Sequence, residues 1–244
     1  PLGRSLWRPQ FLTTKSEKLI TESIVMPHDG EWAATTKGEA TAARIRAVAL
    51  DQFSQLGFER VTMGGIARAA RVSQPALHYH CGDKAHRWRS AMLGLRAVIQ
   101  EEERLIEAAA DAPPLTQLRV AMRLFLQISW KHPALGRIVA LEGMAGGERL
   151  EWLDRHLLGP RNRRLAAIAA EAVAAGDLAP YPPEQMVVTL QTAAVGVINL
   201  APLMRTTFDC DVAAAREIHD EMILEAVLGG FLTEKGRRAR EEAQ

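Results

Sequence analysis

Four residues with metal-binding side chains, His78, His80, Cys81 and His86, crowd into nine positions of this 244-residue chain. Their spacing argues against a metal centre. Positions 78 and 80 lie on different faces of any helix, and no two histidines stand four apart. Cys81 and Cys210 are the only cysteines, too few for a disulfide framework or a paired-cysteine zinc site. The Gly143-Met-Ala-Gly146-Gly147 stretch lacks the Gly-Lys-Ser/Thr of a phosphate loop and follows no strand pattern, so it reads as a connection between helices. No nucleophile–base set and no cofactor motif is apparent, and neither an enzyme nor a cofactor is expected. Arg161, Arg163 and Arg164 read as a solvated face. The alternative for them is a clamp for an anionic ligand such as a coenzyme A ester.

A different stretch carries polar and aromatic groups at the start of a short helix. Ser73-Gln74-Pro75-Ala76 opens a short polar and aromatic stretch that includes His78, Tyr79 and His80, with Lys84 just beyond. The N-terminal side chains of such a helix can reach base edges in a major groove, and its capped end can face a phosphate. The surrounding charge agrees. Residues 41–90 carry eight basic and three acidic groups, a net of +5. Residues 91–244 hold 17 basic against 21 acidic, a net of −4, and the whole chain stands at +1. A compact basic module on an acidic body suits a polyanionic partner, and the alternative is an ordinary scatter of solvated charges.

Such residues need elements to position them. The composition is rich in alanine and poor in aromatics (5%), and the sequence shows no hairpin signal, so an all-α fold is expected. Ile45, Val48, Ala49 and Phe53 mark one helix, ended by Gly57. Thr62 caps a second helix that runs to about Ala70. Ser73 caps a third, with Pro75 in its first turn, where proline is favoured. Two short helices joined by a tight turn would aim the N-terminal side chains of the second into a major groove. A long helix is then expected from Lys84 to Ala110. Further helices follow over 115–131, 133–142, 148–158, 160–175, 183–204 and 211–232. Residues 1–40 read as an N-terminal tail, either disordered or a vestige of processing, and 233–244 as a charged C-terminal tail.

The pattern Ile45, Ala49, Phe53, Gly57-Phe58, Val61-Thr62-Met63, Ile66-Ala67, Ala70, Val72-Ser73-Gln74-Pro75-Ala76-Leu77, Tyr79-His80 and Lys84 resembles the TetR family of bacterial transcriptional regulators. The resemblance covers about 44 of the 244 residues. It implies a helix-turn-helix DNA-binding domain at 41–90 and a helical ligand-binding and dimerisation body at 91–232. It also implies roles. Gln74 and Ala76 would read bases, and Pro75 would make apolar contact. Thr62, Tyr79, His80 and Lys84 would hold phosphates, with Ser73 and His78 beside them. The expected partners are a palindromic double-stranded operator, a second copy of the chain and a small-molecule effector that releases the DNA. The competing reading is a helical ligand-binding or interaction protein that binds no operator. Arg71 stands where the family has a turn glycine, and would cost about 1 kcal/mol if the turn needs a positive φ. His78 replaces a tyrosine, Cys81 a phenylalanine and Arg87 a leucine, with Trp88 beside it as a substitute anchor.

The body offers a mostly apolar interior. Met122, Phe125, Trp130, Met144, Trp152 and Met186 are the candidates to line a cavity, with Gln191 and Asn199 as its polar anchors. No apolar run reaches 18 residues and no signal-peptide pattern occurs, so a cytoplasmic location without membrane contact is expected.

Overall fold

The computed structural model describes residues 37–75, 77 and 83–242, and it divides them into two compact units. Among these residues the structure is helical. The one β-type pairing is an isolated antiparallel bridge between Leu178 and Leu232.

The first unit comprises residues 37–108 and 124–164. Helix α1 (Lys37–Arg60) is broken at Gly57, whose φ of 74° and ψ of 161° are open to glycine and costly for other residues. After the break, Thr62 caps α2 (Met63–Ala69) by accepting a 3.0 Å hydrogen bond from the Gly65 N–H. Such a cap is worth about 0.5–2 kcal/mol. Then come α3 (Lys84–Leu93), capped by the Asp83 carboxylate at His86 N–H, and α4 (Arg96–Ala108). Ile45, Ala49, Phe53, Ile66, Leu77, Trp88 and Met92 are all at most 2% exposed and form one core that α6 (Pro133–Ala145) closes through Leu135 and Ile138.

The single helix expected from Lys84 to Ala110 is two helices, because the chain turns at Gly94-Leu95. The break expected between 158 and 160 is absent in turn. Helix α7 (Glu148–Leu153) runs through one π-type turn (Asp154–Leu158) into α8 (Gly159–Ala174). Pro160 explains that turn. It has no N–H to donate and its ring would crowd the carbonyl four residues back. A widened turn, in which Gly159 N–H reaches Asp154 O, relieves both problems. A Cβ on Gly159 would lie 2.7 Å from that same carbonyl oxygen.

The second unit comprises residues 109–123 and 165–242. Helices α5 (Pro114–Lys131) and α8 give residues to both units. In the second unit, Leu118, Ala169, Leu190, Ala194, Leu224 and Leu228 are at most 1% exposed. The helix expected over 183–204 is bent by 58° at Leu200 into α9 (Pro183–Asn199) and α10 (Ala201–Phe208), with Pro202 in the first turn of α10. Proline at that place starts a helix rather than continuing one. The helix expected from Asp211 begins only at Arg216, as α11 (Arg216–Met222), followed by a π-type turn (Ile223–Leu228). His219 on α11 bonds Ala194 O at 2.9 Å, tying α11 to α9.

The chain after Thr233, read as a charged tail, is helix α12 (Glu234–Glu242) in the second unit. Thr233 N–H donates to Asp177 O at 3.0 Å, and its hydroxyl donates to Gly176 O at 2.6 Å. Lys235 pairs with Asp177 at 3.0 Å, and Arg240 pairs with Glu225. No single helix among the described residues is long and apolar enough to cross a membrane.

Candidate nucleic-acid interface

The turn after α2 is the centre of the site. Val72 N–H bonds Ala67 O at 3.0 Å, and Arg71 takes the left-handed conformation, φ 54°. The turn therefore requires the backbone state that glycine reaches freely and arginine reaches at a cost of about 1 kcal/mol. Arg44 of α1 reaches across to donate to Ala70 O at 3.0 Å, which fixes the turn from outside. Beyond it Gln74, Pro75 and Leu77 are helical, and Leu77 N–H bonds Ser73 O at 2.9 Å. Leu77 is fully buried, whereas Thr62, Ser73, Gln74 and Pro75 are exposed. The face carrying those four is therefore open to a partner. Ala76, His78, Tyr79 and His80, which complete the expected reading surface, lie outside the described residues.

Two observations refine the expected roles. A Cβ on Gly64 would come within 2.8 Å of the Gln74 amide nitrogen, so this glutamine rests against the glycine pair that opens α2. Lys84 is half-buried. Its ammonium donates to Glu59 O at 3.0 Å and stands 4.5 Å from the centroid of the Phe58 ring. It thus holds α3 to the end of α1 as well as bringing charge to the module.

Sequence reasoning missed what lies beneath this surface. Arg87 is 1% exposed and donates to Leu77 O at 3.2 Å, an arginine supporting the helix above where an aliphatic side chain was the norm of the resemblance. Burial pulls its pKa below the ordinary arginine value. Trp88 fills the core beside it, 2% exposed and edge-on to Trp152 with centroids 5.5 Å apart. Arg161, read as part of a solvated face, is instead 5% exposed and bound to Glu102 at 3.0 Å. Arg163 is the surface residue expected, paired with Asp154, whereas Arg164 is half-buried and paired with Glu107. The oddity of an arginine at position 87 and the anchoring place of Trp88 were visible beforehand; the burial of Arg161 left no trace in its neighbours.

The expected cavity residues divide between the units. Met122 and Met186 are buried in the second unit, 1% exposed each, and Gln191 and Asn199 of the same unit are half-buried. Asn199 Oδ1 is enclosed and has no hydrogen-bond partner among the described residues. Phe125, Trp130 and Trp152 belong to the first unit and are half-buried, Phe125 beneath the Arg161 guanidinium at 5.2 Å. Met144 corrects the expectation. It sits in the last turn of α6, before the positive-φ pair Gly146-Gly147, and is 79% exposed, so it lines no interior.

Comparison with known proteins agrees with this geometry. Residues 45–86, from the core of α1 through the first turn of α3, match the family of bacterial regulatory proteins called tetR. The HTH-type transcriptional regulator RutR of Escherichia coli (strain K12) is 28% identical over 171 residues, covering 68% of this chain and 79% of RutR. Among solved structures, the ketosteroid transcriptional regulator KstR2 of Mycobacterium tuberculosis superposes with a TM-score of 0.63 at 17% identity, over 79% of this chain and 95% of KstR2. A γ-butyrolactone receptor described as ArpA-like does so with a TM-score of 0.57 at 16% identity, over 85% and 96% of the two chains.

Proposed function

We propose that this chain, whose residues 45–86 match the tetR family of bacterial regulatory proteins, is a member of that family and a ligand-responsive repressor of transcription. It acts as a homodimer on a palindromic operator in the cytoplasm, performs no catalysis, and is released by a small, mostly apolar effector. The observation that carries this reading is the Thr62-capped α2, the left-handed turn at Arg71 and the exposed, helical Gln74-Pro75 beyond it. That is the local geometry of a helix-turn-helix, whose second helix enters the major groove. The effector half of the reading is supported by Met122, Met186 and the unpartnered Asn199 Oδ1. It is also supported by fold neighbours described as a ketosteroid regulator and a γ-butyrolactone receptor. Release follows when an effector favours a spacing of the two reading helices that no longer fits successive grooves.

The test is a gel-shift titration of the protein against the DNA upstream of its own gene, repeated from 50 to 200 mM salt. With about six to ten phosphate contacts, affinity should fall roughly 10³–10⁵-fold across that range. A flat salt response, or a monomer at micromolar concentration in sedimentation, overturns the proposal in favour of a helical binding protein without an operator.

A further inference from the structure

The end of α1, the first turns of α3 and the Gly146-Gly147 loop border a solvent-open cleft of about 430 Å³ within the first unit. That volume is in the range of small-molecule sites. Its apolar walls are Phe58, Trp88 and Trp152. Its charged groups are Arg89, Glu148 and Arg149.

These three charges are not equivalent. Arg149 is committed: it pairs with Glu142 at 2.8 Å and Glu59 at 3.4 Å, and its guanidinium lies 4.2 Å from the centroid of Phe58. It forms part of the wall. Arg89 is exposed and makes no hydrogen bond or ion pair among the described residues, although a planar guanidinium is suited to take a carboxylate through two parallel bonds. Glu148 is the counterweight. One free cation with one carboxylate nearby favours a single negative charge on an occupant and penalises a second.

We propose that this cleft binds a flat, monoanionic aryl acid, with its ring against Phe58 and Trp152 and its carboxylate on Arg89. The occupant touches α1 and α3, the helices on either side of the helix-turn-helix, and the ring of Phe58 on which the Lys84 ammonium rests. Binding there is therefore coupled to DNA affinity. That coupling rests on the DNA-binding reading above; the binding itself does not.

The probes are 2-naphthoate, its neutral isostere 2-naphthamide and the dianion 2,6-naphthalenedicarboxylate, titrated calorimetrically into the full chain. Saturable binding of 2-naphthoate is expected, about tenfold tighter than either comparator because one charge-assisted bond pair is gained and no repulsion is met. Arg89→Gln is a surface change that leaves the fold intact. It should reduce 2-naphthoate to the level of 2-naphthamide and leave 2-naphthamide unchanged. Trp152→Leu should weaken both. In gel shifts, 2-naphthoate and duplex DNA should alter each other's affinity by the same factor. The site is overturned by three equal affinities, by the absence of saturable binding, or by 2-naphthoate binding that is unaffected in Arg89→Gln. If the protein binds no duplex at all, the regulatory reading falls, and the calorimetric arms alone still decide whether the site exists.

Discussion

The Arg161 guanidinium lies 3.0 Å from the Glu102 carboxylate, and the two side chains are 5% and 0% exposed. Glu102 Oε1 has no hydrogen-bond partner among the described residues, and Arg161 covers the face of Phe125. Burial pushes the Glu102 carboxyl above its ordinary value, and the attraction of Arg161 opposes this without cancelling it. The folded state therefore binds the Glu102 proton more tightly than the unfolded chain does. Its contribution to stability is present below the ordinary carboxylate value and is lost as pH rises through the elevated one. Denaturant unfolding across that window should show stability falling with pH, with a shallower fall in Glu102→Gln. Glu221, also raised by burial, supplies the remaining slope. Arg161→Met alone should cost about 3–5 kcal/mol, because it strands a buried carboxylate, while pairing it with Glu102→Gln should recover most of that loss.

Arg71 gives a prediction of the opposite sign. At φ 54° the turn forces an arginine into a state that glycine adopts without penalty. Arg71→Gly should stabilise the protein by about 1 kcal/mol. Urea unfolding measures this directly, and a destabilised variant would mean that Arg71 makes a compensating contact worth more than the strain.

Gln74 and Lys84 should divide recognition between them. Gln74→Ala should cost about 1–3 kcal/mol, concentrated at one base position, whereas Lys84→Ala should weaken all duplexes alike and lower the salt slope by about 1. The structure adds a condition. Lys84 also holds the Glu59 carbonyl and the Phe58 ring, so Lys84→Ala should lower the melting temperature as well, which Gln74→Ala should not. Equal losses for both variants on specific and random duplexes would erase the distinction.

Two glycines separate close packing from open space. A Cβ at Gly236 would lie 2.1 Å from Asp177 O, against a backbone that cannot step aside. Gly236→Ala should therefore cost about 1–3 kcal/mol and free α12 from the turn at Gly176. A Cβ at Gly143, inside α6, meets nothing within 4 Å, and Gly143→Ala should stabilise by about 0.5–1 kcal/mol. Amide exchange over residues 234–242 would show α12 opening in the first variant only.

The parts that were legible in the sequence are those that local chemistry dictates. Gly57 marks a break through its lack of a side chain and Thr62 a cap through its own, and each does so in the structure. One feature escaped for a local reason: the π-type turn before Pro160 absorbs the proline in a widened turn and makes an apparent helix break continuous. The rest depends on partners distant in sequence. The 234–242 segment looks too polar to fold, yet it is held by Asp177 and Glu225. Arg161 reads as surface because it stands in one basic run with Arg163 and Arg164, while its partner Glu102 lies 59 residues away.

Helix α10 has no buried residue at all, and Leu203 and Phe208 stand 52% and 66% exposed on it, with Leu200 at its start exposed to 53%. Rings and isobutyl groups left in water on a protomer make its folding equilibrium depend on how many protomers are present. If the homodimer covers this helix, the melting temperature must climb with protein concentration, since association then belongs to the folding reaction itself. Dilution becomes a form of denaturation. If the chain is the operator-binding homodimer proposed above, DNA that gathers two protomers would also hold their apolar faces together and so add to their stability.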